Sequence, residues 1–304
     1  MSTVSAQIQE RPASSRAGCA PPDTAGALRT RLFQSPVGLV ENVRLRGAQP
    51  ARTVESVSSD FQVCLPYRGL FVWHVGGEDV VGDANQVLFV SSAQPYRFSA
   101  PLPEGYAELI ITPAEQLLVD LVGGGKTPVA SHALFRLRRR RADREVQLLR
   151  ARFLHRAASG SWDHLAAEEL VVTILRRALE EDPTLASPSP ETRRLIRRTK
   201  EFVEAHLSRS FRLGDVARSV GASPAYLTDV FSRFEGLPLH RYAQQSRLAR
   251  ALIELPHADD LTSLALELGF SSHSHFAAVF RRTYACTPSE FRSSTRRRRE
   301  PLIA

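Results

Sequence analysis

Residues 261–291, LTSLALELGFSSHSHFAAVFRRTYACTPSEF, constrain the fold of this chain more than any other stretch. Leu261, Leu264, Ala265 and Leu268 recur at helical spacing and give a short helix one apolar face. Gly269 ends that helix, because glycine enters the left-handed region at little cost. Ser271 and Ser272 offer capping hydroxyls for a second helix, whose buried stripe is Phe276, Val279 and Phe280. Pro288 stands near the start of a third helix, where a missing N–H is harmless. A short helix, a tight turn and a second helix with a narrow apolar stripe make a helix-turn-helix.

The pattern occurs once before. Leu213 to Gly221 repeats the spacing of Leu261 to Gly269, with one residue of slippage in each turn region. Ser223 matches Ser271, Phe231 matches Phe280, and Leu227 and Pro238 fall near the places of Phe276 and Pro288. Between the copies, residues 239–255 read as one helix, with Tyr242, Leu248, Leu252 and Leu255 among its apolar positions. Two units on one rigid helix suit two successive major-groove faces, about 34 Å apart. The first reading helix presents Ala225, Tyr226, Thr228, Asp229, Ser232 and Arg233; the second presents His273, Ser274, His275, Ala277, Ala278 and Arg281. Alanine meets a thymine methyl, and His, Ser and Thr hydrogen-bond base edges or phosphate. Asp229 either accepts from a cytosine amino group or is repelled by phosphate. The His273-x-His275 pair has a ligand-like spacing, but residues i and i+2 of a helix point apart, which argues against joint chelation.

Residues 193–294 resemble the DNA-binding domain of the AraC/XylS family of transcription regulators. The resemblance rests on Ala265, Leu268-Gly269-Phe270, Ser271, Ser274, Phe276, Phe280, Thr287-Pro288 and Phe291, with Gly236 to Tyr242 and Arg247-Leu248 in the linking helix. Ala285 stands where the family signature usually has glycine. The resemblance implies double-stranded promoter or operator DNA and RNA polymerase as partners, a cytoplasmic location, and control by an N-terminal, cupin-like domain.

Charge agrees with this division. The chain of 304 residues carries a net +8. Residues 191–304 hold 19 Lys and Arg against 12 Asp and Glu, a net of +7, and residues 1–190 hold 21 against 20, a net of +1. An excess confined to one half is the footprint of phosphate binding. All but two of the forty basic residues are arginine, the exceptions being Lys126 and Lys200. Cys19, Cys64 and Cys286 are scattered and odd in number, which fits a reducing compartment and no disulfide framework. No apolar run reaches membrane-span length, and the N-terminus lacks the apolar core of a secretory signal.

Residues 1–30, rich in Ala, Ser, Pro and Gly, read as a disordered tail, either without specific role or as an effector-responsive arm. Within 31–135, short β-branched and aromatic runs at 37–45, 61–66, 69–75, 86–90, 96–99 and 106–111 alternate with Gly-, Pro- and Asn-rich turns, among them Gly82-Asp83-Ala84-Asn85. That rhythm predicts an antiparallel sandwich or barrel. Tyr67, Arg68, Trp73, His74, Tyr96 and Arg97 are candidates for a small-molecule effector pocket, with ordinary core and rim roles as the alternative for each. His74 and His132 are too few and too separated for a three-ligand metal site. Helical period returns at 143–158 and 163–179, where Val146, Leu149, Phe153 and Leu154, then Leu165, Leu170, Ile174 and Leu175, are expected to face inward. These helices either cover the barrel or pair two chains into a homodimer. Arg136 to Arg141 read as a solvated or acid-paired loop, residues 182–192 as a linker, residues 193–207 as the first helix of the C-terminal domain, and Arg296 to Arg299 as the start of a basic tail.

The expectation is therefore an α+β, two-domain, DNA-binding transcription regulator. It has a cupin-like antiparallel β-barrel with flanking helices at 31–181 and an all-α domain with two helix-turn-helix motifs at 193–295. No enzyme activity, catalytic residue, metal or cofactor is expected. The competing reading is a cupin-type metalloenzyme fused to a DNA-binding module.

Overall fold

The computed structural model describes residues 27–123, 138–160, 163–180 and 188–296. The N-terminal part is a sandwich of two antiparallel sheets. One sheet has the order β1 (Ala27–Ser35), β2 (Gly38–Leu45), β9 (Tyr106–Pro113), β4 (Gln62–Gly69), β7 (Gln86–Val90) and β10 (Arg139–Arg141). The other has the order β3 (Ser56–Val57), β8 (Pro95–Ser99), β5 (Phe71–Val75) and β6 (Glu78–Gly82). Alternation along the strands builds two cores. Val43, Cys64, Leu88, Tyr106 and Ile110 point between the sheets and meet Phe71, Trp73 and Phe98 from the smaller one. Val40, Val63, Leu65, Leu109 and Ile111 point the other way and are covered by helices.

Those helices are α1 (Glu115–Gly123), α2 (Arg144–Ser159) and α3 (His164–Leu179). Asp143 and Asp163 cap α2 and α3 with side-chain oxygens, and Gly160 closes α2 in the left-handed conformation. Val146, Leu149 and Phe153 of α2 and Leu170, Ile174 and Leu175 of α3 are buried on the six-stranded sheet, as their periodicity predicts. Leu165 is the exception: it lies in the first turn of α3 and is 63% exposed.

The C-terminal part comprises α4 (Pro190–Ala205), α5 (Leu213–Val220), α6 (Pro224–Glu235), α7 (Leu239–Glu254), α8 (Leu261–Glu267), α9 (His273–Tyr284) and α10 (Pro288–Arg296). Its two helical pairs keep separate cores. Val203, Val216, Leu227, Phe231 and Tyr242 belong to the first; Leu248, Leu264, Phe276, Phe280 and Phe291 belong to the second. Burying a side chain such as Phe276 contributes roughly 1.5–3 kcal/mol. Among the described residues only α7 runs through both cores. The second also takes in Ala151 and Leu148 of α2, so α2 is packed on the sheet by one face and on the helical domain by another.

Several boundaries differ from expectation. Residues 27–30, expected in the irregular tail, open β1 and pair with β2, because Leu28 and Thr30 extend the period of Leu32. Arg139–Arg141, expected in a loop, form β10 against β7, with Arg139 paired to Glu235 and Arg140 donating to the Ala178 carbonyl. Residues 190–192, expected in the linker, start α4, whose cap is Ser189 and whose Pro190 suits the first turn. Residues 1–26, 124–137, 161–162, 181–187 and 297–304, and with them Cys19, His132 and most of the expected tail and linker, lie outside the described residues.

Candidate nucleic-acid interface

Each turn is built from the residues that its backbone requires. In the first unit Gly221 ends α5 at φ 73°, the Ser223 hydroxyl accepts the Tyr226 N–H at 3.2 Å, and Gly236 closes α6 at φ 71°. In the second unit the Asp260 carboxylate caps α8 through the N–H groups of Thr262 and Ser263. Gly269 then takes φ 80°, and a Cβ placed there would lie 2.3 Å from the Leu207 carbonyl oxygen. The cap of α9 is Ser272, accepting the His275 N–H at 3.1 Å; the Ser271 hydroxyl instead lies 3.2 Å from His275 Nδ1. Ala285 closes α9 at φ 58°, doing the work of the usual glycine despite its Cβ.

Both candidate reading faces are open. On α6, Ala225, Tyr226, Thr228, Asp229 and Arg233 are exposed and Ser232 is half-buried. Tyr226 is 54% exposed, a large ring standing off the surface. The Thr228 hydroxyl is engaged, donating to the Pro224 carbonyl at 2.8 Å. On α9, Ser274, His275, Ala278 and Arg281 are exposed, and His273 and Ala277 are half-buried. Leu227, Phe231, Phe276 and Phe280 on the opposite faces are fully buried, so each helix divides cleanly into a packed and a free side. Among the described residues, no three His, Cys, Asp or Glu side chains gather as a metal site.

The six candidate effector residues do not converge. Tyr67 and Arg68 line a cleft of about 880 Å³ between the sandwich and the helices α7 and α8. The sandwich lines it with Arg44, Arg46, Arg68 and Glu104, and the helices and the turn between them with Glu254, Asp259, Asp260 and Glu267. The Tyr67 hydroxyl donates to Asn42 Oδ1 at 2.8 Å and accepts from Arg44 Nε at 3.2 Å. Trp73 and Tyr96 instead pack on each other, ring centroids 5.6 Å apart, beside a void of about 10 Å³. His74 is held between Asp79 at 2.7 Å and Ser99 at 2.9 Å. Burial lowers its pKa in spite of the Asp79 carboxylate, so it is a satisfied strand histidine. Arg97 is exposed, 3.8 Å from Glu55.

Comparison with known proteins agrees with these two parts. The model of an AraC-binding-like domain matches residues 19–208, and that of a helix-turn-helix domain matches residues 216–294. The regulatory protein PocR of Salmonella typhimurium is 33% identical over 123 residues, 40% of this chain and 40% of its own length. The match thus spans two fifths of that relative. The regulatory protein SoxS of the same organism is 31% identical over 99 residues, 32% of this chain and 92% of its own length. A solved AraC-type transcriptional regulator from Chromobacterium violaceum is 26% identical, covering 37% of this chain and 99% of that one, with a TM-score of 0.33.

Proposed function

Because the chain belongs to the AraC family, we propose that it is a sequence-specific DNA-binding transcription regulator that reads two adjacent stretches of major groove, one with α6 and one with α9. The observation that carries this reading is the pair of exposed, small and polar helix faces, each on a glycine-ended, serine-capped turn, in the half of the chain that holds +7 of the net charge. The reading residues are Ala225, Tyr226, Thr228, Asp229, Ser232 and Arg233, then His273, Ser274, His275, Ala277, Ala278 and Arg281. Contact with phosphate positions the protein, and contact with base edges specifies the site.

A small-molecule effector belongs in the cleft beside Tyr67 and Arg68, because that cleft touches both the sandwich and the second unit. A charged molecule suits a lining rich in arginine and carboxylate side chains. The other four effector candidates act as core and rim. Pairing of two chains falls to α3, since α2 is packed on both sides and α3 leaves Leu165 exposed. The action is cytoplasmic and works on promoters through RNA polymerase; among the described residues no helix is long and apolar enough to cross a membrane. A genome-wide map of bound DNA tests the proposal: clustered sites upstream of genes, sharing one motif, are expected, and a map without a shared motif overturns it.

A further inference from the structure

Resting on that reading, we infer that the buried turn between β6 and β7 is a latch that fixes the two reading helices relative to one another, with Lys200, Glu235, Gln147 and Tyr284 as its positioning residues. The turn is Asp83-Ala84-Asn85, running into Gln86 at the start of β7; all four residues are buried although three of them are polar. Its polar groups reach the first helix-turn-helix unit and the linking helix directly, and the second unit through Gln147 of α2.

On the first unit, Glu235 is the last residue of α6. Its carboxylate receives Lys200 Nζ at 2.7 Å, Arg139 Nη1 at 3.1 Å and Gln86 Nε2 at 3.2 Å. Lys200 Nζ also meets Asp83 Oδ2 at 3.0 Å, and its ammonium sits 5.3 Å from the centre of the Tyr242 ring. Burial alone would raise the Glu235 pKa, but Lys200 and Arg139 outweigh it and hold it below the usual range, so the pair is ionic. On the second unit, Tyr284 is the last residue of α9, and its hydroxyl donates to Gln147 Oε1 at 3.0 Å. Gln147 Nε2 in turn donates to Asn85 Oδ1 at 3.1 Å and to the Ala84 carbonyl at 3.2 Å. Between the units, Asn85 Nδ2 donates to the Ser246 hydroxyl of α7 at 2.7 Å.

The position of Ser246 matters. The first core ends along α7 at Ala243 and the second begins at Leu248, so Asn85 grips the helix in the interval between them. The two units also meet where Leu207, Arg209 and Arg247 adjoin Gly269. Each reading helix is thus tied at its C-terminal end to the same turn, and their linking helix is tied at its midpoint. The latch leaves both reading faces uncovered, so it acts on the spacing and angle of the two helices and not by blocking DNA. Lysine at position 200 suits this place: a compact ammonium fits between two carboxylates, whereas a guanidinium fork favours one bidentate partner.

Conservative changes test the latch in the full chain. Glu235→Gln removes the charge that Lys200 and Arg139 meet, and Tyr284→Phe removes one hydroxyl. Spin labels are placed at Arg218→Cys on α5 and Leu266→Cys on α8, both exposed, with Cys19 and Cys286 changed to Ser and the buried Cys64 left in place. Pulsed dipolar spectroscopy should give one narrow distance peak without the latch changes and should lose it in the Glu235→Gln/Tyr284→Phe double variant. A peak that stays narrow in a folded double variant overturns the inference. Should the double variant not fold, as judged by its melting curve, Tyr284→Phe alone decides by the same peak. In a second arm, duplexes enriched from a random pool by the unaltered chain are titrated, intact and with one half scrambled. The double variant should lose about tenfold in affinity for the intact duplex and nothing for the half-scrambled one, since only the former needs both helices in register. Equal affinity for the intact duplex overturns the latch. Enrichment of no duplex overturns the regulator reading itself, while the distance peak still decides the latch.

Discussion

At the scale of single residues, the turn glycine of the second unit makes the sharpest claim. Gly269 needs a positive φ, and its α-carbon faces the Leu207 carbonyl so closely that any side chain would collide with backbone. Gly269→Val should therefore abolish DNA binding while leaving the sandwich folded, as read by a binding titration alongside hydrogen exchange of the β-strands. Glu108 makes a claim about pH. It stands on β9 with no exposed surface, and among the described residues its carboxylate oxygens accept no hydrogen bond. Burial pushes its pKa up to about 8, against a weaker opposing pull from Arg29. The folded state then keeps a proton that the unfolded chain releases above its ordinary value of 4.5, so folding stability falls as pH rises from 4.5 to about 8. Glu108→Gln should flatten that decline and stabilise the protein at pH 8 by on the order of 3 kcal/mol in urea titrations. Equal pH dependence in both proteins would show that Glu108 does not carry it.

At the scale of elements, the helix-turn-helix units were the most legible part of the chain. Their signals are local: apolar spacing, glycine where φ turns positive, and serine at the cap, all within about thirty residues of one another. The strands at 86–90 and 106–111 were equally plain, because β-branched runs between turn residues leave little choice. Arg139–Arg141 were not, since their strand exists only by pairing with β7, far away in sequence. The β6–β7 turn shows the same limit from the other side. Its composition reads as a surface turn, yet the polar side chains are buried against another domain that satisfies them. Of that network, Lys200 stood out in the sequence as one of two lysines in an arginine-rich chain, and Arg139 as part of a run open to acid pairing, but nothing local named their partners. For the effector candidates, type was legible and convergence was not: Tyr67 and Arg68 face one cleft, and Trp73 and Tyr96 face a packed interior. The α9 face carries its own prediction. His273→Ala and His275→Ala should each weaken binding to the specific site by about 1–3 kcal/mol and leave non-specific binding unchanged if these rings read base edges. Parallel loss on both kinds of DNA would assign them to phosphate.

At the scale of the whole molecule, the two halves are less separable than their composition suggests. Both cores of the helical domain lie within α4 to α10 except for the surface that α2 contributes through Leu148 and Ala151. A fragment of residues 184–304 should accordingly fold and bind DNA at low salt. It should melt below the full chain, because Tyr284 loses Gln147 and the second core loses its α2 cover. On the proposed pairing of two chains it should also bind the operator more weakly than full-length protein, because pairing raises the effective concentration. Sedimentation and titration of both proteins check this; a fragment as stable and as tight as the full chain would leave the N-terminal domain without a part in holding or pairing the readers.

The central claim is that two exposed helices read two adjacent stretches of DNA. Its most direct measurement is a titration of the full chain against an enriched duplex, and against versions with the first, the second or both halves scrambled, each at several salt concentrations. The account predicts that scrambling either half weakens binding, that scrambling both weakens it further, and that affinity for every duplex falls linearly on a log–log plot against salt, by about 0.9 per phosphate neutralised. Affinity that ignores one of the two halves, or that does not change with salt, would contradict it.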